Sequence, residues 1–154
     1  MNYKTAIYDT SLGTCQIKYF EEVILQVALC TDNHPEAENR RSEYSDKAAK
    51  QINEYLRGER QAFDLHFDIS MLTDFQQAVL GELLKIPYGE TRTYKQIAEA
   101  IGNPKAARAV GAACNKNPLL IIIPCHRVIG TNNSLVGYAS GLEHKAFLLD
   151  LEKK

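Results

Sequence analysis

Within "LLIIIPCHRVIG", residues 119–130, a run of aliphatic side chains ends in Cys125, His126 and Arg127. A cysteine becomes a useful nucleophile when a nearby cation or helix terminus favours its thiolate. The His-Arg pair beside Cys125 supplies positive charge, and an imidazole is a natural proton acceptor. One geometric objection stands against a direct Cys125–His126 pair, because neighbouring side chains on a regular strand point to opposite faces. Pro124 cannot donate to a sheet ladder, so the strand is expected to end or bend there. His126 then reaches the sulfur directly or through one water. The plainer alternative is a packed cysteine beside a solvent-facing His-Arg. A third member is available near the end of the chain. Leu142, Ala146, Leu149 and Glu152 recur on one helical stripe, so Glu152 is either carried inward to orient His126 or part of a frayed end, "LEKK". Asn117, before Pro118, is a residue type that fixes a turn through its side chain.

These residues need elements to hold them. Residues 1–30 alternate as strands in "YKTAIYDT", "TCQIKYF" and "EVILQVAL", with a turn at Gly13. "DNHPEAENRRSEYSD" is polar and loop-like. A helix over roughly 43–57 is stopped by Gly58, and "AFDLHFDIS" is either another strand or a connection. From Thr73 the period changes to that of a helix, with Thr73 or Asp74 as N-cap and Phe75, Val79 and Leu83 four residues apart. "PYGE" is a turn. "TYKQIAEAIG" reads as a short helix ending at Gly102, and Asn103-Pro104 as the start of another, "KAARAVGAACNK". Two short helices joined by Gly-Asn-Pro have the form of a helix-turn-helix. A strand is expected over 119–124, a turn at "GTNNS", a strand or loop at "LVGYASG" and a closing helix over 142–152.

The chain of 154 residues, 45% hydrophobic and 24% charged, is long enough to bury a core without crosslinks. Its net charge of −1 conceals an asymmetry. Residues 1–84 hold 8 Lys and Arg against 14 Asp and Glu, a net −6, whereas residues 85–154 hold 10 against 5, a net +5. A basic half beside an acidic half suggests a polyanionic partner for one of them, the alternative being chance segregation of solvated charges. The expected organisation is therefore an acidic α/β half, residues 1–68, and a basic, mainly helical half, residues 69–154. No apolar run approaches the length of a membrane span and no secretory leader is visible at the start, so a cytoplasmic protein with reduced thiols is expected. The four cysteines, at 15, 30, 114 and 125, form no CxxC pair. Cys15, Cys30, His34 and His66 match no metal-binding spacing, and no metal is expected.

Taken together, "NPLLIIIPCHRVIG", "GYASGLEHKAFLLDLE" and "IPYGETRTYKQIAEAIGNPKAARAVGAACNKN" resemble the O6-alkylguanine-DNA alkyltransferases, also called methylated-DNA–protein-cysteine methyltransferases. The resemblance is close over about 74–152 and looser over 1–68, where "TSLG" and "INEYLRGERQAFDL" carry it. It implies an α+β chain: a small N-terminal α/β domain of ribonuclease H-like fold and a C-terminal, mostly helical winged helix-turn-helix domain. It implies direct repair, in which the alkyl group of O6-methylguanine, and of O4-methylthymine, passes irreversibly to Cys125. On this likeness His126 acts as base through a water, Glu152 orients it, and Asn117 organises the turn. Tyr94 assists at the base or the rotated phosphate. Arg108 fills the gap left by an extruded nucleotide, on a small-faced helix (Ala106, Ala107, Ala109) that enters the minor groove of double-stranded DNA. Tyr138 stacks on the extruded base, while backbone at Cys125, Val128 and Ala139 reads its edges. No cofactor and no membrane are implied, and a monomer is expected. Without the likeness, Tyr94 would pass for a core aromatic and Arg108 for a solvated charge. Three departures stand out: Ser140 replaces a frequent glycine of the pocket loop and is expected to narrow it, Leu80 stands where many members have tryptophan, and Val136 replaces a small polar residue. The competing readings are an alkyltransferase-like protein that binds lesions without transfer, against which Cys125 argues, and a cysteine hydrolase.

Overall fold

Alternation decides the first thirty residues. β1 (Lys4–Thr10), β2 (Gly13–Phe20) and β3 (Val23–Cys30) form an antiparallel sheet in the order β1-β2-β3. Cys15, Ile17 and Tyr19 of β2 all turn to the buried face, as a period of two requires. A register shift at Lys18/Tyr19 lets Ile24 and Val27 of β3 both face inward. The structure, a computed structural model, describes residues 3–30, 39–131 and 134–153, so part of the polar loop after β3, His34 and the middle of "GTNNS" lie outside the described residues. Helix α1 (Glu43–Leu56) starts on a capping box between Ser42 and Ser45 and lays Ala48, Ala49, Ile52 and Tyr55 against β1 and β2. Gly58 follows it at φ +77°, the conformation that glycine adopts without strain. "AFDLHFDIS" is a connection that touches the sheet once, where Phe67 bridges Ile24.

The chain divides into two compact units, Met1–Ile69 with Pro118–Ile122, and Ser70–Asn117 with Ile123–Lys154. In the second unit, α2 (Asp74–Leu83), α3 (Tyr94–Ala100) and α4 (Ala107–Asn115) pack on one another. Thr73 and Thr93 cap α2 and α3, each through a capping box with a glutamine three residues on. Two-residue strands β4 (Arg92–Thr93) and β5 (Val128–Ile129) pair in parallel, and α5 (Leu142–Glu152) closes the chain. Leu80 is fully buried in α2. Among the described residues no helix is long and apolar enough to cross a membrane.

Three expectations are corrected. The isoleucine run is no strand over 119–124. Leu119 makes one bridge to Val27, Ile121 sits at φ +73°, and Cys125–Arg127 form a 3-10 turn. Every residue from Leu119 to Ile123 is nonetheless buried. Burial, not pairing, selects such a run, and a short apolar stretch does not reveal which backbone it takes. Next, α4 begins at Ala107 rather than at Asn103-Pro104. The residues before it form a turn closed by Ala106 N–H on the Asn103 carbonyl (3.0 Å), and no side chain caps the helix. Lastly, the buried stripe of α5 is Lys145, Leu148 and Glu152. Leu142 is 47% exposed and Ala146 is exposed too. The aliphatic residues suggested a stripe turned away from the true one, because a lysine occupies a position that a hydrophobic pattern counts as surface.

Candidate active site

Cys125 opens the 3-10 turn, its amide bonded to the Ile123 carbonyl at 2.8 Å and that of Arg127 to the Pro124 carbonyl at 3.0 Å. Three residues per turn set successive side chains about 120° apart rather than on opposite faces, which removes the objection a strand would raise. Asn117, at the exit of α4, is buried and donates from Nδ2 to the Ile123 carbonyl at 2.9 Å. It also hydrogen-bonds the Cys125 side chain. Cys125 is only 3% exposed. Burial pushes its thiol up to about 11, against the opposing pull of Asn117 and of the Lys145 charge. The resting group at neutral pH is therefore a thiol, not the thiolate that the adjacent basic residues suggested, and reaction requires a base.

His126 is fully buried and held below its ordinary 6.5, first by burial. Its Nε2 lies 2.8 Å from Glu152 Oε2. A carboxylate only accepts, so Nε2 carries the proton and the basic lone pair sits on Nδ1. Glu152 Oε1 accepts from Arg127 Nε at 2.8 Å and from the Gly89 amide at 3.3 Å, and Oε2 accepts from Arg127 Nη2 at 2.9 Å. Arg127 Nη1 donates to the Ile86 carbonyl at 2.7 Å, and its guanidinium lies 5.6 Å from the centre of the Tyr88 ring. The fork of Arg127 thus holds the carboxylate by charge-assisted bonds in a dry site, and the carboxylate holds the imidazole. The plainer alternative, a solvent-facing His-Arg, does not hold, since both side chains are buried. Only the adjacency of Arg127 to the buried run hinted otherwise.

The second unit also has an open cleft of about 440 Å³ with Tyr94, Arg108, Gly111, Asn115, Val136 and Gly137 on its walls; Cys125, His126 and Glu152 do not line it, but Tyr94 is near enough to interact electrostatically with Cys125. α4 passes α3 at Gly111, where a Cβ would make ordinary contact with the Tyr94 ring at 3.8 Å. Arg108 is exposed, and Ala107 also lines the cleft, whereas Ala106 and Ala109 do not. Tyr94 donates to the Val136 carbonyl at 2.7 Å. Burial raises its hydroxyl to about 12, so it stays protonated. Val128 is fully buried and Tyr138 is 8% exposed. Ala139 is exposed, and Ser140 turns its hydroxyl to His144 Nδ1 at 2.9 Å. None of these four lies on the cleft wall. Lys145, which the sequence reading passed over, is fully buried and acts electrostatically on Cys125. Its position seven residues before Glu152, on one helical face, was the available signal. Among the described residues no group of three or more metal-ligating side chains gathers.

Residues 74–154 match the family model described as 6-O-methylguanine DNA methyltransferase, DNA binding domain, and residues 3–69 match the one described as its ribonuclease-like domain. The chain belongs to the 6-O-methylguanine DNA methyltransferase family. A methylated-DNA–protein-cysteine methyltransferase of Methanosarcina acetivorans is 45% identical over 151 residues, 96% of each chain. Its counterpart from Mycobacterium bovis is 55% identical over 106 residues, 69% of this chain and 64% of its own. The solved structure of Mycobacterium tuberculosis OGT in complex with DNA superposes with a TM-score of 0.89 at 41% identity, covering 97% of this chain and 92% of that one. The activity that membership of this methyltransferase family carries is transfer of a methyl group from methylated DNA to a cysteine of the protein.

Ionisation of the site sets the pH range of stability. The native state keeps His126 neutral where an unfolded chain would bind a proton, so stability falls as pH drops below about 6.5. Cys125 and Cys114 are raised to about 11 and 12 from an ordinary 9, so the unfolded chain releases those protons first and stability also falls as pH rises past about 9. Thermal unfolding is expected to show a plateau between these limits. Rising stability on acidification from pH 7 to 5 would contradict the neutral, buried imidazole.

Proposed function

We propose that this chain repairs DNA by moving the alkyl group of O6-methylguanine, and of O4-methylthymine, onto Cys125 once per molecule. The observation that carries the reading is the buried Cys125 turn, with its neutral His126 oriented by Glu152; an open cleft edged by Arg108 lies in the same unit. In the transfer, Sγ attacks the alkyl carbon. An S–C bond forms as the C–O bond breaks, and the electron pair leaves on the guanine oxygen. The thiol proton passes to His126 through a water, and the purine regains a proton on leaving. A thioether of this kind is not hydrolysed under physiological conditions, so the protein is consumed and needs no cofactor.

The target atom lies inside the duplex, so the nucleotide must first be extruded. Small residues at the start of α4, Ala106 just before it and Ala107 and Ala109 within it, permit close approach to the backbone in the minor groove, and Arg108 enters the stack behind the departing base. Tyr138 stacks on that base, backbone at Val128 and Ala139 reads its edges, Ser140 bounds the pocket loop, Asn117 braces the turn and Tyr94 assists at the base. The protein acts as a monomer, in a cytoplasmic compartment that keeps the thiol reduced. Duplex carrying O6-[³H-methyl]guanine is expected to label the protein to one methyl per chain and then stop. Lesion binding without label would favour a lesion-recognition protein, and continued turnover would exclude a consumed acceptor.

Arg108→Ala separates extrusion from chemistry. Unstacking costs a few kcal/mol per step, so loss of the inserted side chain is expected to slow repair in duplex by about tenfold or more while leaving reaction with the free O6-alkylguanine base unchanged. Equal loss in both assays would remove Arg108 from the role.

A further inference from the structure

The stretch "PYGE", between α2 and β4, is a β-turn closed by the Glu90 amide on the Pro87 carbonyl at 3.0 Å. Within it only Gly89 sits at positive φ, +85°. A negative φ at this second corner belongs to a type I turn and a positive one to type II, and between the two the central peptide rotates by about 150°. That peptide carries the Gly89 N–H, which donates to Glu152 Oε1 at 3.3 Å, 63 residues away. The sign of φ at Gly89 therefore decides where this donor points. A carboxylate offers about four lone-pair sites. Glu152 takes Arg127 Nε and the Gly89 amide on Oε1, and His126 Nε2 and Arg127 Nη2 on Oε2. Three of these donors sit on side chains, whereas the Gly89 amide is backbone and is held by the turn itself. The same stretch also grips the guanidinium. Ile86, just before the turn, accepts from Arg127 Nη1 at 2.7 Å, and the Tyr88 ring centre lies 5.6 Å from the Arg127 guanidinium, within range of cation–π attraction. Space is short as well, since a Cβ on Gly89 would stand 3.1 Å from the Glu152 backbone carbonyl oxygen.

We infer that Gly89 is a positioning residue for the proton acceptor: its type II turn aims one backbone N–H at Glu152 and so fixes the carboxylate that orients His126. The inference rests on the transfer reading above, in which His126 takes the thiol proton. It gives "PYGE", which reads in sequence as a plain connection, a share in the chemistry.

The test compares Gly89→Ala with Gly89→Asn. Alanine favours negative φ and with it the type I turn, whereas asparagine enters the positive region several-fold more readily. Both variants add a Cβ, so a difference between them reads the turn and not the space. Single-turnover transfer from a duplex carrying O6-methylguanine is followed over duplex concentration, with circular dichroism to establish folding. Outer partners that orient metal-bound imidazoles are worth about 10- to 100-fold in activity. The saturating rate of Gly89→Ala should accordingly fall by about tenfold or more, while the duplex concentration at half-maximal rate stays within about twofold of wild type. Gly89→Asn should return the saturating rate to within about threefold of wild type. A Gly89→Ala rate within about twofold of wild type overturns the inference alone, and so does an equal loss in Gly89→Asn, which would leave Gly89 a matter of space. Should Gly89→Ala not fold, amide exchange in the wild-type protein decides: a bond to Glu152 should slow exchange of the exposed Gly89 amide by about tenfold or more against an unbonded one, and an unprotected amide overturns the inference. A wild-type protein that takes up no methyl overturns it together with the transfer reading.

Discussion

Cys125→Ala is expected to abolish alkyl uptake from DNA completely while leaving a folded protein that still binds the lesion. No other group in the site substitutes for it. Cys114 is buried in α4 and its thiol is pushed up to about 12, first by burial, and Cys15 is buried in the sheet of the first unit. Alanine removes one buried sulfur and its bond to Asn117, a change of about 1 kcal/mol, or a few degrees in Tm for a chain of this size. Uptake and melting should therefore separate cleanly. Residual uptake at more than about one per cent of the wild-type rate, where removal of a unique nucleophile leaves none, would mean that another thiol is the acceptor.

The second large effect is expected at Glu152, two residues from the end of the sequence, where a frayed and dispensable terminus would be the ordinary expectation. Its carboxylate is instead buried under His126, Arg127 and the Gly89 amide. Glu152→Gln keeps the shape but turns an amide N–H toward a donor whichever way the amide is set, and leaves the Arg127 guanidinium buried without its countercharge. Breaking a buried pair by removing one partner costs about 3–5 kcal/mol, which is on the order of 10 °C in Tm at this chain length. The imidazole also loses the acceptor that fixes its tautomer. Loss of such an orienting carboxylate costs on the order of 10⁴ in the Ser-His-Asp hydrolases, and a fall of about 10²-fold or more in single-turnover rate is expected here. Thermal melts and quenched transfer assays read both effects. A variant within about 2 °C of wild type would show that the carboxylate does not hold the cluster together.

Much of this arrangement is legible in sequence because each step has a local cause. Thr73 and Gln76, or Thr93 and Gln96, announce helix starts by their own hydrogen bonding, and the alternation of Cys15, Ile17 and Tyr19 states which face of β2 is inward. The rest depends on partners distant in the chain. Arg127 is buried because Glu152, 25 residues away, accepts from it. Lys145 is buried because Tyr94, 51 residues away, and a bend at Gly137 supply acceptors. Neither is visible in a pattern that assigns every cation to the surface, and the misplaced stripe of α5 has the same origin. The isoleucines before Cys125 illustrate the converse. Their composition predicts burial correctly and backbone wrongly, since the run makes one isolated bridge, Leu119 to Val27, and no ladder for periodicity to register. The acidic-to-basic shift along the sequence pointed to a polyanion. Family membership and the exposed Arg108 at the cleft place that expectation on the second unit.

The most direct test of the central claim is the position and number of the transferred groups. The protein is incubated with excess duplex carrying one O6-methylguanine, digested with trypsin and analysed by mass spectrometry, with the DNA assayed for restored guanine. The account predicts one added methyl on the peptide containing Cys125, none on those containing Cys15, Cys30 or Cys114, and one guanine restored per protein. A methyl on any other cysteine, or many guanines restored per chain, would contradict it.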